Sequence, residues 1–589
     1  MTRALNASLA AMQKLLTPYF LREGFFYSRA DIRADVMAGI TVAVVQIPQA
    51  MAFALIAGLP AVYGLYASIP GFIASIWGSS RQLSTGPVAV VSLLTFTSLV
   101  PLAAPGSPEY IGLAALLAVL VGIIYLLLGL FRFGFIMHLV PQSVIVGFSS
   151  AAAAIIVTTQ LPTLLGISPA QNDLVFQNIR DLALAIPHLS FATAAIGVVA
   201  ALLLITSRRL PRTFPGALVV LIIGIAISYV LNLGSHGIAL VAQVPSSFPT
   251  FSFPMIAVAS FLSLLPKAAV IALVGFVGAH ATGKMAAQKN KESLDTNQEL
   301  VGQGLANIVT GFFRGFPISG SFTRTALNID AGARTPIAGL TASLITVLAL
   351  LFFTPLFFFL PKTVLAAIVI LSAFPLIDLA CLRAMYHISK TDAYVAYLTF
   401  AMAFILKPDD AIFIGIVAAL MLFIRQTAWG AKVFEMGVDR EWHVLRGAVD
   451  EDRVETYKNV CIAHIGMPLY YANIATLMRQ IKELLARHAE REKTAVKTLV
   501  LDVSGVHFVD ITALETLAEN IEKLRERGIE TCFIYLRRAL RDALMNMPQF
   551  AGITVLHNIS ELKQFALPGS SHTLVLAGSH PEKLGRKSV

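Results

Sequence analysis

Long apolar stretches separated by short polar breaks occupy the chain from Val36 to about Arg425. A helix that crosses a lipid bilayer needs about 20 mostly apolar residues, and by that rule roughly fourteen stretches qualify, some of them short. The clearest are Val36–Ala57, Ile111–Leu130, Phe191–Thr206, Gly216–Leu231, Ala268–Ala287, Pro336–Phe353, Val364–Ile377 and Ala411–Ile424. The pattern predicts an α-helical polytopic membrane domain over residues 36–430, preceded by a polar segment at residues 1–35.

Beyond residue 434 the pattern changes to mixed, charged and periodic sequence. Short β-branched stretches are typical of strands, and longer stretches with apolar residues every three or four positions are typical of helices. The strand-like stretches are Val460–Ile465, Thr498–Val503 and Glu530–Tyr535, and the helix-like ones are Ala472–His488, Ile511–Arg527 and Ala539–Met545. This alternation predicts a small α/β domain over residues 434–570, and the polar composition of residues 571–589 predicts a disordered tail.

Composition supports the membrane interpretation and excludes several functions. Of the 589 residues, 56% are hydrophobic and only 13% are charged, against about 25% charged in soluble domains. The net charge of +10 does not indicate nucleic-acid binding, because the basic residues lie between apolar segments. The three cysteines lack metal-ligand spacing, and no phosphate-binding Gly-x-x-x-x-Gly-Lys-Ser/Thr run is present. We expect no enzyme activity, no cofactor and no metal.

Basic residues fall in alternate loops, as the positive-inside rule requires for a fixed orientation. An even number of spans then places both termini in the cytoplasm, in a cell (inner or plasma) membrane. The basic residues on the cytoplasmic side of this topology are Arg81, Arg132, Arg208, Arg209, Arg212, Lys284, Lys289, Lys291, Arg334, Arg383, Lys390 and Arg425.

Two polar, glycine-containing segments open short helices at corresponding places in the two halves of the membrane domain. They are Ser84–Ser92 and Pro317–Ala326. Paired interrupted helices of this kind indicate the binding site of a transporter. A helix N-terminus carries unpaired N–H groups and about half a positive charge, so two facing ends predict an anion site. The backbone donors are those of Val88, Ala89, Phe322 and Thr323, and the hydroxyl groups include those of Thr85 and Ser321.

Three further polar residues lie within apolar stretches. Arg324 follows the second opening, and a charge inside the membrane is a functional hypothesis by default; the alternative is a structural arginine paired with a carbonyl group. Gln49 follows Pro48 in the first span, where a hydrogen bond between helices is an equal alternative. His280 is a candidate for proton coupling, since histidine titrates near neutral pH.

Several motifs resemble those of the SulP sulfate permease family, whose animal relatives include prestin and pendrin. They are Gly39–Leu55, Pro60–Ser68, Gly78–Pro87, Asn297–Asn307 and Gly315–Pro336. The resemblance implies seven plus seven inverted repeats, a core that moves past a gate as an elevator, and a homodimer. It also implies an anion held between the third and tenth spans by Gln49, Phe53, Thr323 and Arg324.

Sulfate is the expected anion, with bicarbonate and dicarboxylates as alternatives. A channel-like protein and an anion receptor that signals through the C-terminal domain remain alternatives of other classes. One departure bears on the mechanism: many family members carry Glu in the eighth span where this chain has Gly278. Loss of that carboxylate favours exchange or uncoupled flux over cation symport.

The C-terminal domain resembles a STAS domain, in which the Leu501–Thr512 stretch corresponds to the loop between a strand and a helix. In related antagonist proteins a serine at the position of Thr512 is phosphorylated. The resemblance makes Thr512 a candidate regulatory residue and implies a soluble partner protein. The alternative is that Asp510 and Thr512 cap the following helix, a common role for these residue types.

Overall fold

The computed structural model describes residues 15–19, 28–135, 140–167, 175–207, 209–210, 214–241, 248–253, 258–429, 432–439, 445–447, 454–545 and 547–566. Two compact units, Met1–Ala419 and Leu420–Val589, make up the chain. The predicted tail at residues 571–589 and most of the predicted N-terminal segment lie outside the described residues.

The first unit is helical, with two very short strands. Its elements, in chain order, are α1 (Arg29–Ile56), α2 (Val62–Ser68), α3 (Gly71–Trp77), β1 (Thr85–Gly86), α4 (Ala89–Leu99), α5 (Pro108–Leu130), α6 (Gln142–Leu165), α7 (Val175–Ala185), α8 (Phe191–Ser207), α9 (Gly216–Val230), α10 (Val258–Asn290), α11 (Thr296–Phe312), β2 (Ser319–Gly320), α12 (Phe322–Asp330), α13 (Ile337–Phe352), α14 (Thr354–Phe357), α15 (Lys362–Ala373), α16 (Leu379–Ile388), α17 (Lys390–Ile405) and α18 (Pro408–Trp429), the last of which continues into the second unit.

The first membrane helix begins earlier than its apolar stretch. Ser28 accepts a hydrogen bond from the backbone N–H of Asp31, and the Asp31 carboxylate accepts one from the backbone N–H of Ser28. This reciprocal capping box fixes the start of α1 at Arg29. The helix therefore begins before the apolar stretch that starts at Val36, because hydropathy registers apolar residues and not the polar cap that precedes them.

Six described helices are long and apolar enough to cross a membrane, and a pair bent by 115° at residues 175–207 makes a seventh if it is one span. Shorter apolar helices cover Val62–Trp77, Ala89–Leu99, Gly216–Val230 and Ile337–Phe352. The structure therefore confirms a polytopic helical membrane domain, whereas the count of fourteen spans in two inverted repeats stays a prediction.

The second unit contains an α/β domain. Its elements are β3 (Val433–Asp439), β4 (Leu445–Gly447), β5 (Val454–Glu455), β6 (Val460–Ile465), α19 (Ile474–Glu492), β7 (Thr498–Asp502), α20 (Ile511–Glu526), β8 (Glu530–Ile534), α21 (Arg538–Met545), β9 (Thr554–Leu556) and α22 (Ile559–Ala566). The sheet order is β4-β3-β6-β7-β8-β9, with β5 also paired to β3. Strands β6 to β9 run parallel, and β3 is antiparallel to β6.

Alternate strand residues of this sheet enter two separate cores, as the two-residue period of a strand requires. On β6, Cys461 and Ala463 pack with α19 and α20, whereas Val460 and Ile462 pack on the other face with residues of α22. Helices therefore cover both faces of the sheet, which confirms the predicted α/β class.

Candidate functional site

The two interrupted segments meet in the structure. Strand β1 pairs antiparallel with β2, so that Thr85 lies opposite Gly320 and Gly86 opposite Ser319. The backbone N–H of Ser321 also donates to the carbonyl oxygen of Ser84 at 2.9 Å. Helices α4 and α12 begin within three residues of these strands, so backbone pairing brings their N-termini to one place.

Gly320 is closely packed at this crossing. A Cβ atom built on Gly320 lies 2.9 Å from Leu83 Cδ1 and 3.0 Å from the Cα of Ala279 on α10. A Cβ on Gly86 lies 3.1 Å from Nη2 of Arg324. The two glycines therefore let the strands approach α10 and the guanidinium group as closely as they do.

Arg324 is fully buried behind this crossing. Its Nε lies 3.4 Å from Ser84 Oγ, and its Nη1 donates to the carbonyl oxygen of Pro87 at 3.0 Å. Its Nη2 has no hydrogen-bond partner among the described residues. A buried charge without an ionic partner is costly. A nearby anion would therefore stabilise the guanidinium group by balancing its positive charge.

A ladder of buried polar side chains on α11 holds the crossing in place. Glu299, Gln303 and Asn307 follow one another at intervals of four residues, which places them on one helix face. Glu299 accepts from the backbone N–H of Ser80 at 3.0 Å. Gln303 donates to Glu299 at 3.1 Å and to Thr85 Oγ1 at 2.8 Å. The Asn307 amide bonds both the N–H and the carbonyl of Ile318, just before β2.

Sequence reasoning gave these three residues no role. Their spacing carried a signal, because polar residues at i, i+4 and i+8 in an otherwise apolar region indicate a buried polar helix face. Their partners outside α11 were not readable from the sequence, since Ser80 and Thr85 are more than 200 residues away and Ile318 lies beyond the end of the helix, just before β2.

A cavity of about 510 Å³ opens beside the N-terminus of α12. Four of the predicted site residues line it: Gln49, Phe53, Phe322 and Thr323. The remaining lining residues are Val45, Leu204, Ser207, Leu210, Phe214, Gly216, Ala217, Ala326, Leu327, Asp330, Ile368, Leu371, Ser372 and Pro375.

The other five predicted binding residues, Thr85, Val88, Ala89, Ser321 and Arg324, are not part of this lining. The Thr85 hydroxyl is held by Gln303, and Ser321 is the N-cap residue of α12, accepting from the Arg324 N–H. The structure therefore divides the predicted set into residues on the cavity wall and residues that build the crossing behind it.

His280 and Gly278 occupy different sides of α10. The His280 ring stacks on Phe276 with centroids 5.9 Å apart, and His280 is not among the cavity-lining residues. A Cβ on Gly278 meets nothing within 4 Å among the described atoms. Among the described residues, the space beside Gly278 is thus open, and the side chain of His280 does not fill it.

Thr512 is the second residue of α20 and is exposed. Asp510 is the N-cap of this helix and accepts from the N–H of Ala513 at 2.7 Å and from the N–H of Tyr471 at 2.8 Å. Capping therefore falls to Asp510 alone, and the side chain of Thr512 is accessible. The phosphorylation of Thr512 stays a prediction.

Glu435, Cys461 and His488 bring ligand-type atoms within 4.8 Å of one another in the C-terminal domain. Arg491, however, bonds both oxygens of Glu435, at 2.5 and 3.0 Å. Both nitrogens of His488 face oxygens: Nδ1 lies 2.6 Å from Glu435 and Nε2 lies 3.1 Å from the Tyr457 carbonyl. Two such acceptors require a doubly protonated ring, so the cluster is an ion-pair network and fits a metal poorly.

The pKa values in this network agree with that assignment. The hydrogen bond to Glu435 raises the pKa of His488 above its usual value. Burial alone would raise the pKa of Glu435, but the hydrogen bonds from His488 and Arg491 outweigh it and lower that pKa. Burial raises the pKa of the Cys461 thiol to about 12, which keeps it protonated.

Comparison with known proteins agrees with both units. The sulfate permease family matches residues 32–399, and the STAS domain matches residues 453–561. A chloroplastic sulfate transporter 4.1 of Arabidopsis thaliana is 32% identical over 85% of this chain and 74% of its own length. A probable sulfate transporter of Mycobacterium tuberculosis is 33% identical over 88% of this chain and 92% of its own. The solved structure of SLC26A9 superposes with a TM-score of 0.85 at 22% identity, over 96% of this chain and 94% of the other.

Proposed function

This chain belongs to the sulfate permease family, and on that premise we propose that it carries an oxyanion, sulfate first, across the membrane as a secondary transporter. The observation that carries the proposal is the meeting of two helix N-termini over a buried arginine whose Nη2 has no hydrogen-bond partner in the part of the chain that the structure describes. Relatives named as sulfate transporters support the choice of sulfate.

The anion is held at the N-terminus of α12. The backbone N–H groups of Phe322 and Thr323 occupy the first helical turn and have no partner within the helix. The Thr323 hydroxyl and the Gln49 amide add neutral donors from the cavity wall. Neutral donors bind a doubly charged anion without fixing it irreversibly, which suits a carrier that must also release it.

Arg324 acts through its charge from behind the helix ends. Its side chain is held against Ser84 and Pro87, away from the cavity wall. In a buried setting a charge is screened little, so the guanidinium group attracts the anion without direct contact. Phe53 supplies an apolar wall that limits the hydration of the bound ion.

Transport follows an elevator-type movement in which the crossing of β1 and β2 travels as one body with the anion. The polar ladder of α11 supports this role, because it bonds Thr85 of β1 and Ile318, the residue before β2, to a single helix. Gly278 offers no carboxylate to a coupling cation, so we propose anion exchange rather than symport.

We also propose an assembly, a membrane topology and a regulatory domain for this transporter. The transporter is a homodimer in a cell membrane, with both termini cytoplasmic, a transport domain over residues 36–430 and a regulatory STAS domain over 434–570. A soluble protein docks on this STAS domain, and Thr512, exposed at the start of α20, is its regulatory residue.

Uptake of radiolabelled sulfate into proteoliposomes, with and without unlabelled anion inside, tests the function. We expect saturable uptake that internal anion accelerates and that a proton or sodium gradient leaves unchanged. Uptake driven by inward protons overturns the exchange proposal and returns His280 as the proton carrier. Bicarbonate or dicarboxylate uptake without sulfate uptake replaces the substrate. Current without saturation favours a channel, and binding without flux favours a receptor.

A further inference from the structure

An apolar groove between α8 and α9 has no role in the proposed binding of the anion. Its volume is about 250 Å³, and a residue at the start of α15 completes its wall. The eleven residues that line this groove are all apolar: Ala195, Ile196, Val199, Ala200, Leu203, Val220, Ile223, Gly224, Ile227, Leu233 and Val364. A lining of this kind excludes water and binds apolar molecules.

The apolar groove reaches into the interior of the unit and is not a shallow depression. Its lining residues recur every three or four positions along α8 and along α9, so each helix contributes one face. Ala200 and Val220 are each only 4% exposed, and Val364 is 1% exposed. A Cβ atom built on Gly224 lies 3.0 Å from Cγ2 of Val364, so α9 and α15 are in contact at the bottom of the groove.

The apolar groove opens on a face of the protein that the lipid bilayer covers. Large apolar residues on the outer faces of α8 and α9 are 48% to 77% exposed, namely Val198, Leu202, Ile205, Ile222 and Val230. Soluble proteins rarely expose so much contiguous apolar surface, whereas membrane helices present it to lipid tails that are equally apolar. The groove is therefore continuous with the lipid-facing surface of the membrane domain.

A lipid acyl chain matches the apolar groove better than any polar ligand does. An apolar cavity of about 150 Å³ in another protein stays dry and binds benzene, so this groove has room for a larger hydrocarbon segment. Burying a polar or charged group without a hydrogen-bond partner is costly, and the apolar side chains offer no donor or acceptor. The bilayer at the mouth of the groove supplies hydrocarbon chains at high concentration.

The helices that form the apolar groove also form one wall of the anion cavity. On each helix a residue of the groove lies next to, or one turn from, a residue of the cavity. These pairs, with the groove residue first, are Leu203 and Leu204 on α8, Val220 and Ala217 on α9, and Val364 and Ile368 on α15. A change in the separation of α8 and α9 therefore changes both sites.

We propose that the apolar groove binds one acyl chain of a membrane lipid, and that this chain holds α8 and α9 apart and thereby keeps the anion cavity open. The binding of the chain stands on the groove alone, whereas its effect on the cavity rests on the proposed anion transport. Coupling between two binding sites is reciprocal. Sulfate in the cavity therefore strengthens binding of the chain by the same factor by which the chain strengthens binding of sulfate.

Photolabelling in lipid vesicles tests the binding of the chain. The protein is reconstituted into phosphatidylcholine that contains a trace of the same lipid with a diazirine on its acyl chain, and mass spectrometry maps the labelled residues after illumination. Ala200 and Val220 should be labelled more strongly than Leu202 and Ile222, which are 57% and 55% exposed. Labelling in proportion to exposure means ordinary contact with bulk lipid and overturns the proposal.

Two adjacent valines provide matched variants. Val199 lines the apolar groove and is 51% exposed, whereas Val198 is 48% exposed and does not line it. The larger side chain of Val199→Phe should occupy the groove and reduce the labelling of Ala200 and Val220 to the level of Leu202. Val198→Phe should leave the labelling of Ala200 and Val220 unchanged. Equal labelling of the two variants overturns the proposal, and thermal unfolding in detergent excludes a folding defect.

Titration of the purified protein tests the coupling between the two sites. A sterol-based detergent is used, because it has no straight chain to fill the apolar groove. Saturating sulfate should lower the lipid concentration for half-maximal labelling about fivefold, and saturating lipid should raise sulfate affinity by the same factor. A lipid affinity that ignores sulfate overturns the coupling. A protein that binds no sulfate overturns the proposed function, while the order of labelling still decides what the groove binds.

A second copy of the chain is the competing occupant of the apolar groove. In that arrangement Ala200 and Val220 remain unlabelled in vesicles, and disulfide formation through Ile223→Cys joins two copies. This result assigns the groove to a dimer interface and overturns the proposal. Labelled Ala200 and Val220, without disulfide-linked copies, support the acyl chain.

Discussion

Two arginines, one in each unit, show how a charged group behaves with and without its partners. Arg491 in the C-terminal domain bonds both oxygens of Glu435, and the remaining carboxylate contact goes to His488. Arg324 in the membrane unit is more deeply buried, yet its Nη2 has no partner in the described part of the chain. The first network is complete and stabilises a domain, and the second is incomplete and fits a site whose last partner is a transported ion.

The largest expected effect is on sulfate affinity, and it distinguishes Arg324 from Arg491. Arg324→Ala should lower sulfate affinity about a hundredfold, because it removes the buried charge that attracts the anion; a unit charge and a divalent anion about 10 Å apart at an effective dielectric constant of about 20 interact by about 3 kcal/mol. Arg491→Ala should leave the affinity of the same protein unchanged. Equilibrium binding of sulfate to purified protein measures both.

Arg324→Lys is the control for this experiment, since it keeps the charge and loses the fork that bonds Ser84 and Pro87. We expect an intermediate affinity. Wild-type affinity in well-folded Arg324→Ala protein removes Arg324 from the site, and the comparison with Arg491 then fails.

A second pair of variants tests whether the cavity wall and the crossing differ in function. Thr323→Val should lower anion affinity about tenfold, because hydrogen bonds to charged groups contribute about 1.5 to 3 kcal/mol. Thr85→Val should leave the affinity within about twofold and destabilise the fold by about 1 to 3 kcal/mol, because the buried amide of Gln303 loses one of its two acceptors.

Both threonine variants remove one hydroxyl and keep the branched shape, so each serves as the control of the other. Uptake kinetics give the affinity, and thermal unfolding in detergent gives the stability. If Thr85→Val loses anion affinity while remaining stable, Thr85 belongs to the binding site and the division made by the cavity lining is wrong.

The smallest expected effect is a dependence of local stability on pH, confined to the network of Glu435, His488 and Arg491. Because the folded-state pKa of His488 is raised, its contribution to stability is fully present below the unfolded pKa of about 6.5. It is lost as the pH rises through the folded value. We expect β3 and α19 to be less protected at pH 9 than at pH 6, by about 1 kcal/mol.

Hydrogen exchange of the full-length protein at both pH values measures this difference, after correction for the intrinsic exchange rate. His488→Gln should remove the pH dependence while β7 and β8 keep their protection. An unchanged pH dependence in His488→Gln would assign the effect to another group. Anion affinity should not follow this transition.

The accuracy of the sequence predictions differed between the units for physical reasons. Strand Val460–Ile465 was predicted with its observed bounds, and Ile511–Arg527 and Glu530–Tyr535 each missed by one residue. Strands β3 and β9 were not predicted. Strand β9 has only three residues, and the seven residues of β3 include Glu435, Gly437 and Asp439, so both strands depend on pairing with neighbours in the sheet rather than on a local pattern.

In the membrane unit, hydropathy located the apolar helices but gave no account of α11. That helix carries Glu299, Gln303 and Asn307 on one buried face. Such polarity is tolerated inside a membrane protein because hydrogen-bond partners satisfy most of its groups, and a local window of sequence does not contain the partners Ser80 and Thr85.

By itself the sequence determined the membrane class, the α/β domain, the two interrupted segments and the family motifs, because each depends on residues close together in the chain. Only the tertiary structure decided that Thr85 faces Gln303 while Thr323 faces the cavity, that Arg324 lies behind the helix ends, and that α8, α9 and α15 enclose the apolar groove. Those relations join residues tens to hundreds of positions apart, and packing of the whole unit sets them.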